Sequence, residues 1–251
     1  MKNLQDKIIL VCGGATGIGA ETARQLSAAG ARVALGDINL EVAQQTAADC
    51  TGDVVAFQYD QADEASINAL VEQAVEHFGG LNGVFANAAD LQTVLVDGDV
   101  LSNDIGIWER TLSVNLTGTA MIIRAALPHL LKAGGGAIVC TSSGASTIGE
   151  PERVAYAASK AGINAMCRHV ASRWGKEGIR CNSLAPGLVV TEQLQEGMGQ
   201  EFLDKLLKGV NSTRHGEPAD IAASVVFLLS DEGEWVNGQT WHVNGGVFYG
   251  T

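Results

Sequence analysis

Short apolar runs that alternate with helix-length amphipathic stretches constrain this chain more than any other feature. Ile8–Cys12, Arg32–Asp37, Val54–Gln58, Gly83–Ala86, Ala137–Thr141, Ile179–Leu184 and Gln239–Val243 read as strands. Helical patterns fall between them, at about 18–29, 40–50, 66–78, 105–131, 153–174 and 219–229. In the third of these, Ile67, Leu70, Val71, Ala74, Val75 and Phe78 recur at helical spacing. Strands without polar alternation are buried on both faces, so they belong to a parallel sheet with helices on each side. Right-handed crossovers then give a doubly wound α/β fold. The 251 residues show no linker and no second composition regime. One domain spanning 1–251 is expected, with a lid at about 191–210.

Such sheets bind ligands at the carboxyl ends of their strands, near the switch point. After the first strand comes Gly13-Gly14-Ala15-Thr16-Gly17-Ile18-Gly19 and then a helix. Glycines there let backbone N–H groups face a diphosphate, and the helix N-terminus adds favourable potential. The spacing is G-x-x-x-G-x-G rather than G-x-G-x-x-G, and a ligand-free glycine turn explains the glycines alone equally well. Asp37 shifts the balance. It ends the second strand, 18 residues beyond Gly19, where a carboxylate binds ribose hydroxyls and repels a 2′-phosphate. Thr16, Ile38 and Asn39 bring no cation to that corner, so NAD is expected rather than NADP. After the third strand, Asp60 and the backbone N–H of Gln61 suit an adenine edge, though a plain polar loop fits almost as well. Asn87, Ala88 and Ala89 follow the fourth. Small residues admit a ribose, and Asn87 is as suited to tying strands together as to touching a ligand.

Tyr156-Ala157-Ala158-Ser159-Lys160 places a phenol and an ammonium on one helix face. The ammonium can lower the phenol's pKa, near 10 when unperturbed, toward one suited to proton transfer with an alcohol oxygen.

Taken together, these elements resemble the classical short-chain dehydrogenases/reductases over essentially the full length. The resemblance rests on Gly13 through Gly19, Asp60, Asn87-Ala88-Ala89, Asn115 within Val114-Asn115-Leu116-Thr117-Gly118, Ser143, Tyr156, Lys160 and Pro186-Gly187-Leu188-Val189-Val190-Thr191. It implies a Rossmann-like fold and a catalytic set of Asn115, Ser143, Tyr156 and Lys160. Tyr156 would exchange the proton. Lys160 would lower its pKa and bond the nicotinamide ribose, and Ser143 would hold the substrate oxygen. Asn115 would hold a water that relays protons from Lys160. Gly13, Thr16, Gly17, Ile18, Gly19, Asp37, Ile38, Asp60, Gln61, Asn87, Ala88, Pro186, Gly187, Val189 and Thr191 would join Tyr156 and Lys160 around NAD. Val189 would meet the carboxamide, and Thr191 would cap the next segment against the diphosphate. Cys12 replaces the family's usual threonine, and Ala86 and Ala89 vary its Asn-Asn-Ala-Gly pattern. Modest effects on stability are expected from these departures.

Composition narrows the partners. A net charge of −12 argues against nucleic acid and anionic membranes. The five cysteines are scattered and the five histidines lack ligand spacing, so free thiols and no metal are expected. Residues 1–7 carry no signal-peptide core and no apolar run spans a bilayer, which makes a cytoplasmic location the default. Leu194, Met198, Phe202, Leu203, Leu206 and Leu207 suit one amphipathic lid helix, and hence a hydrophobic secondary alcohol or ketone. Core packing accounts for them equally well. Glu150 would recognise an amine or hydroxyl if it faced the pocket. A 3-oxoacyl carrier-protein reductase is the alternative within the family, disfavoured by Asp37 and by the acidic surface. A noncatalytic NAD-binding regulator is the alternative outside it. The resemblance also implies a homotetramer, or less often a dimer, built on the helices near 105–131 and 153–174.

Overall fold

The apolar runs assemble into one seven-stranded parallel sheet in the computed structural model, which describes residues 4–197 and 199–249. Its strands are β1 (Ile8–Cys12), β2 (Arg32–Asp37), β3 (Val54–Gln58), β4 (Gly83–Ala86), β5 (Gly136–Thr141), β6 (Ile179–Pro186) and β7 (Thr240–Val243). They lie in the order β3-β2-β1-β4-β5-β6-β7. The chain therefore reverses direction across the sheet between β1 and β4. Cys12 pairs with Gly36 on one side and Ala86 on the other, and Ala86 pairs with Cys140. This register brings four strand ends to one level and makes a crevice where the loops part.

The helices are α1 (Gly17–Ala28), α2 (Leu40–Ala48), α3 (Glu64–Phe78), α4 (Leu91–Val94), α5 (Ile105–Thr111), α6 (Thr119–Lys132), α7 (Val154–Trp174), α8 (Glu192–Gly197), α9 (Gln200–Leu207) and α10 (Pro218–Leu229). Successive side chains of β1 enter opposite layers. Leu10 and Cys12 pack with Ile67, Leu70, Ile122 and Ile163 of α3, α6 and α7. Ile9 and Val11 pack with Leu26, Ile221 and Val225 of α1 and α10. Both faces of the sheet are thus dry, as the unalternating strands require.

Two expectations change. The stretch 105–131 is not one α-helix, because Leu112–Gly118 adopts a π-helical turn between α5 and α6. The expected single lid helix is two short ones, α8 and α9, parted near Gly199. Glycine at that joint favours a break over a continuous helix. Met198 lies outside the described residues. Leu203 is buried and Leu194 half-buried.

The turn from β1 into α1 depends on close approach. A Cβ on Gly19 would sit 1.9 Å from the Gly13 carbonyl oxygen, and one on Gly13 would sit 2.8 Å from the Ala88 Cα. Gly13 also has φ +77, a conformation that favours glycine. Gly19→Ala should therefore lower the unfolding free energy by about 1–3 kcal/mol, read from the urea midpoint. An unchanged midpoint would contradict this packing.

Candidate active site

A cavity of about 770 Å³ opens at the carboxyl ends of the strands. Gly13, Thr16, Gly17, Ile18, Asp37, Ile38, Asp60, Gln61, Asn87, Ala88, Ser143, Tyr156, Lys160, Pro186, Gly187, Val189 and Thr191 all line it. Two of the expected residues do not. Gly19 lies beneath the turn, and Asn115 is fully buried in the π-helical segment.

At one end, α1 presents its first turn without a side-chain cap and without an acidic residue. Its open N–H groups suit an anion. Thr191 stands over that turn, its Cγ2 3.2 Å from where a Gly17 Cβ would be. Its hydroxyl accepts the Leu194 N–H at 3.3 Å, so Thr191 also starts α8. Asp37 has two tasks. Its Oδ2 accepts the Ala15 N–H at 2.9 Å and its Oδ1 the Asn39 N–H at 3.0 Å. The carboxylate thereby shapes the glycine turn, and each oxygen keeps acceptor capacity for a ligand hydroxyl. Asp60 Oδ1 accepts the Ala62 N–H at 2.8 Å. The Gln61 side chain is committed to the protein. It donates to the Ala88 and Val114 carbonyls at 2.9 and 2.8 Å and accepts the Tyr59 hydroxyl at 2.7 Å. Asn87 donates to the Gly13 carbonyl at 3.1 Å and accepts the Thr141 hydroxyl at 2.9 Å, bridging β1, β4 and β5. The thiol of Cys12, where the family usually has threonine, is buried and meets the Tyr59 hydroxyl.

The other end is built where α7 crosses the exit of β5. Lys160 is 2% exposed, and its Nζ donates to the Thr141 carbonyl at 2.8 Å. Nζ stands 5.6 Å from the centre of the Tyr156 ring. Ser142 is buried and gives its hydroxyl to the Lys160 carbonyl at 3.1 Å, whereas Ser143 opens the turn Gly144–Ser146 and faces the phenol. The local order of charge differs from the sequence expectation. Burial raises the Tyr156 phenol above its ordinary value, with the Ser143 hydroxyl opposing the shift. Burial also lowers the Lys160 ammonium from 10.5 to about 8. Desolvation therefore outweighs the downward pulls of the Ser143 hydroxyl and the Arg153 guanidinium on the phenol.

Asn115 Oδ1 accepts the Asp90 N–H at 2.9 Å, and its carbonyl accepts the Thr119 hydroxyl at 2.7 Å. The π-turn that holds it is a common device at functional sites, because a widened turn frees backbone carbonyls from the helical ladder. Glu150 is paired with Arg153 and is absent from the cavity lining, so the suggested contact with a substrate amine or hydroxyl is not made. The cysteines are less scattered than their spacing suggests. Cys140, Cys167 and Cys181 bring their sulfurs within 4.8 Å of one another in the core beneath Lys160. One contributor escaped the sequence altogether. Asp97, in the segment between α4 and α5, accepts the Tyr156 N–H at 2.8 Å. Its partner lies 59 positions away, and no local pattern announces the contact.

The buried ammonium makes a pH prediction. Below pH 8 the folded and unfolded chains both carry the proton, so the burial penalty is complete. Between about 8 and 10.5 only the unfolded chain holds it, and stability rises with pH. Relative to Lys160→Met, wild type should gain about 3 kcal/mol of unfolding free energy across that window. Parallel stability curves for the two proteins would contradict the burial.

The comparisons agree with this geometry. Residues 13–248 match the family model described as Enoyl-(Acyl carrier protein) reductase. The chain is similar to D-threitol dehydrogenase of Mycolicibacterium smegmatis, 36% identical over 246 residues, covering 97% of this chain and 93% of that one. It is similar to a probable short-chain type dehydrogenase/reductase of Bradyrhizobium diazoefficiens, 36% identical over 250 residues, with 98% and 89% covered. Its fold matches a 7α-hydroxysteroid dehydrogenase complexed with NADH and 7-oxo glycochenodeoxycholic acid, with TM-score 0.90, 29% identity and coverage of 97% and 95%. With the glycine turn, Ser143, Tyr156 and Lys160 placed on one crevice of a doubly wound sheet, the chain belongs to the classical short-chain dehydrogenase/reductase family of oxidoreductases.

Proposed function

We propose that this protein is an NAD-dependent oxidoreductase that interconverts a secondary alcohol and a ketone on a small hydrophobic molecule. The observation that carries this reading is a single cavity with an uncapped helix N-terminus and Asp37 at one end and Ser143, Tyr156 and Lys160 at the other. NAD fits the residues present. The glycines leave room for a diphosphate, Asp37 keeps acceptor capacity for ribose hydroxyls, and Thr16, Ile38, Asp60 and Gln61 bring no cation for a 2′-phosphate. When bound, NAD supplies the hydride acceptor for oxidation and, as NADH, the donor for reduction.

The chain's own residues handle the proton. Ser143 holds the substrate oxygen beside the phenol. Tyr156 takes the hydroxyl proton as the carbonyl forms and returns it in the reverse direction. The Lys160 ammonium, held against the Thr141 carbonyl, stabilises the phenolate that results. Asn115 supports the proton path from a buried turn rather than from the cavity wall. Leu91, Val114, Leu188 and Leu194 give the cavity an apolar side, which favours a hydrophobic substrate. Two relatives are named as dehydrogenases of hydroxylated molecules, a threitol and a hydroxysteroid, which supports an alcohol as the substrate.

The test is NADH absorbance with a panel of secondary alcohols, diols and hydroxysteroids. Wild type should turn over with NAD, and Tyr156→Phe should lose about a hundredfold or more. Full activity in that variant would refute the role of the phenol. Asp37→Ala should raise KM for NAD about tenfold and admit NADP; unchanged discrimination would refute the role of Asp37.

The same reading includes a symmetric homotetramer. An apolar groove of about 380 Å³ runs along α6 and α7, lined by Ile123, Leu127, Leu131, Met166, Val170 and Trp174 among others. Sedimentation should show a tetramer for wild type and smaller species for Met166→Asp. A monomeric wild type would refute the assembly.

A further inference from the structure

The helix that carries Tyr156 and Lys160 begins without a cap of its own. Arg153 stands at its N-cap in left-handed backbone, φ 56, and makes no side-chain capping bond. The open amides are met from elsewhere. Val154 N–H donates to the Gly98 carbonyl at 3.2 Å. Ala155 N–H donates to Asp97 Oδ1 at 3.3 Å, and Tyr156 N–H to Asp97 Oδ2 at 2.8 Å. Ala157 N–H then closes the first turn on the Arg153 carbonyl at 2.9 Å. The three N–H groups that the helix start leaves open, at Val154, Ala155 and Tyr156, are all satisfied, two of them by one carboxylate that is 6% exposed. A carboxylate at a helix N-terminus is also favourably placed in the helix field.

We propose that Asp97 is a positioning residue for Tyr156: its buried carboxylate clamps the first turn of α7 and so sets the depth of the phenol in the cavity. The inference rests on the proposed role of Tyr156. Without the carboxylate, two buried N–H groups must find water, and the turn that bears the phenol loosens. Lys160, a full turn further along, is held independently by Thr141 and Ser142. The clamp therefore acts on the phenol more than on the ammonium. The polar and charged groups around the phenol are Ser143 from the exit of β5, Glu150 and Arg153 from the preceding turn and Lys160 from its own helix, while Asp97, from the loop before α5, meets the backbone N–H of the same residue. Loosening the turn brings more water to a phenol that burial now pushes up, and added hydration lowers its pKa.

The chain has three tyrosines, Tyr59, Tyr156 and Tyr249, so ¹³Cζ-tyrosine NMR resolves the phenol without turnover, with Tyr156→Phe for assignment. In Asp97→Ala the Tyr156 titration should fall by about one pH unit. Its kcat should drop about 10- to 100-fold while KM for NAD stays within twofold. Asp97→Asn keeps one acceptor for the Tyr156 N–H and should restore most of that kcat; it also serves if the alanine variant fails to fold. An unchanged titration and kcat, or an asparagine variant no better than alanine with KM for NAD rising equally, would overturn the proposal. The arms are separable. A phenol shifted by Asp97→Ala in a protein without NAD-linked turnover would sink the proposed function alone, and a phenol that Asp97→Ala leaves unshifted, where the wild type turns over with NAD, would sink the clamp alone.

Discussion

A buried ammonium held against one strand-end carbonyl organises this molecule. Lys160 donates to the Thr141 carbonyl where β5 stops pairing, and that bond fixes where α7 crosses the sheet. The neighbouring contacts follow it. Ser142 reaches the Lys160 carbonyl, Asn164 bonds both Ser146 and Ser183, and Gly162 lets Leu116 of the π-turn approach within 2.9 Å of its missing Cβ. Burying a cation against neutral partners is costly, and the fall of Lys160 to about 8 has that burial as its cause. A core selected only for stability would place an apolar side chain there. The cost makes sense if the ammonium is needed beside a phenol that must lose and regain a proton.

The other end of the crevice shows the opposite economy, with structural bonds doubling as preparation for a ligand. Asp37 holds the Ala15 and Asn39 amides, and Asn87 joins β1 to β5. The bonds from Asp37 to Ala15 and from Asn87 to Gly13 set the glycine turn before any ligand arrives. A preformed cradle avoids ordering the loop on binding, which leaves more of the interaction energy for affinity.

Much of this was legible in the sequence, for physical reasons that also explain the gaps. The strands were readable because a parallel sheet buried on both faces needs unbroken apolar runs, and Ile8–Cys12 or Val54–Gln58 can be little else. The glycine turn, Asp37 and the Tyr156–Lys160 spacing are local patterns in which chemistry dictates distance along the chain. The π-turn at Leu112–Gly118 was not legible, because helical periodicity scarcely changes across one widened turn. The break between α8 and α9 was hidden by apolar residues that suit one helix or two. Asp97 and the meeting of Cys140, Cys167 and Cys181 depend on tertiary approach between residues far apart in sequence. The raised phenol of Tyr156 depends on how dry the site is, and spacing carries no record of that.

The central claim is that hydrogen leaves a substrate carbon as hydride while Tyr156 handles only the proton on oxygen. The most direct measurement uses an accepted alcohol deuterated at its carbinol carbon, with the mass of the NADH formed after a single turnover in ordinary water. Direct hydride transfer predicts NADH that carries the deuterium in full. NADH without deuterium would contradict the account, because the hydrogen would then have passed through a group that exchanges with solvent.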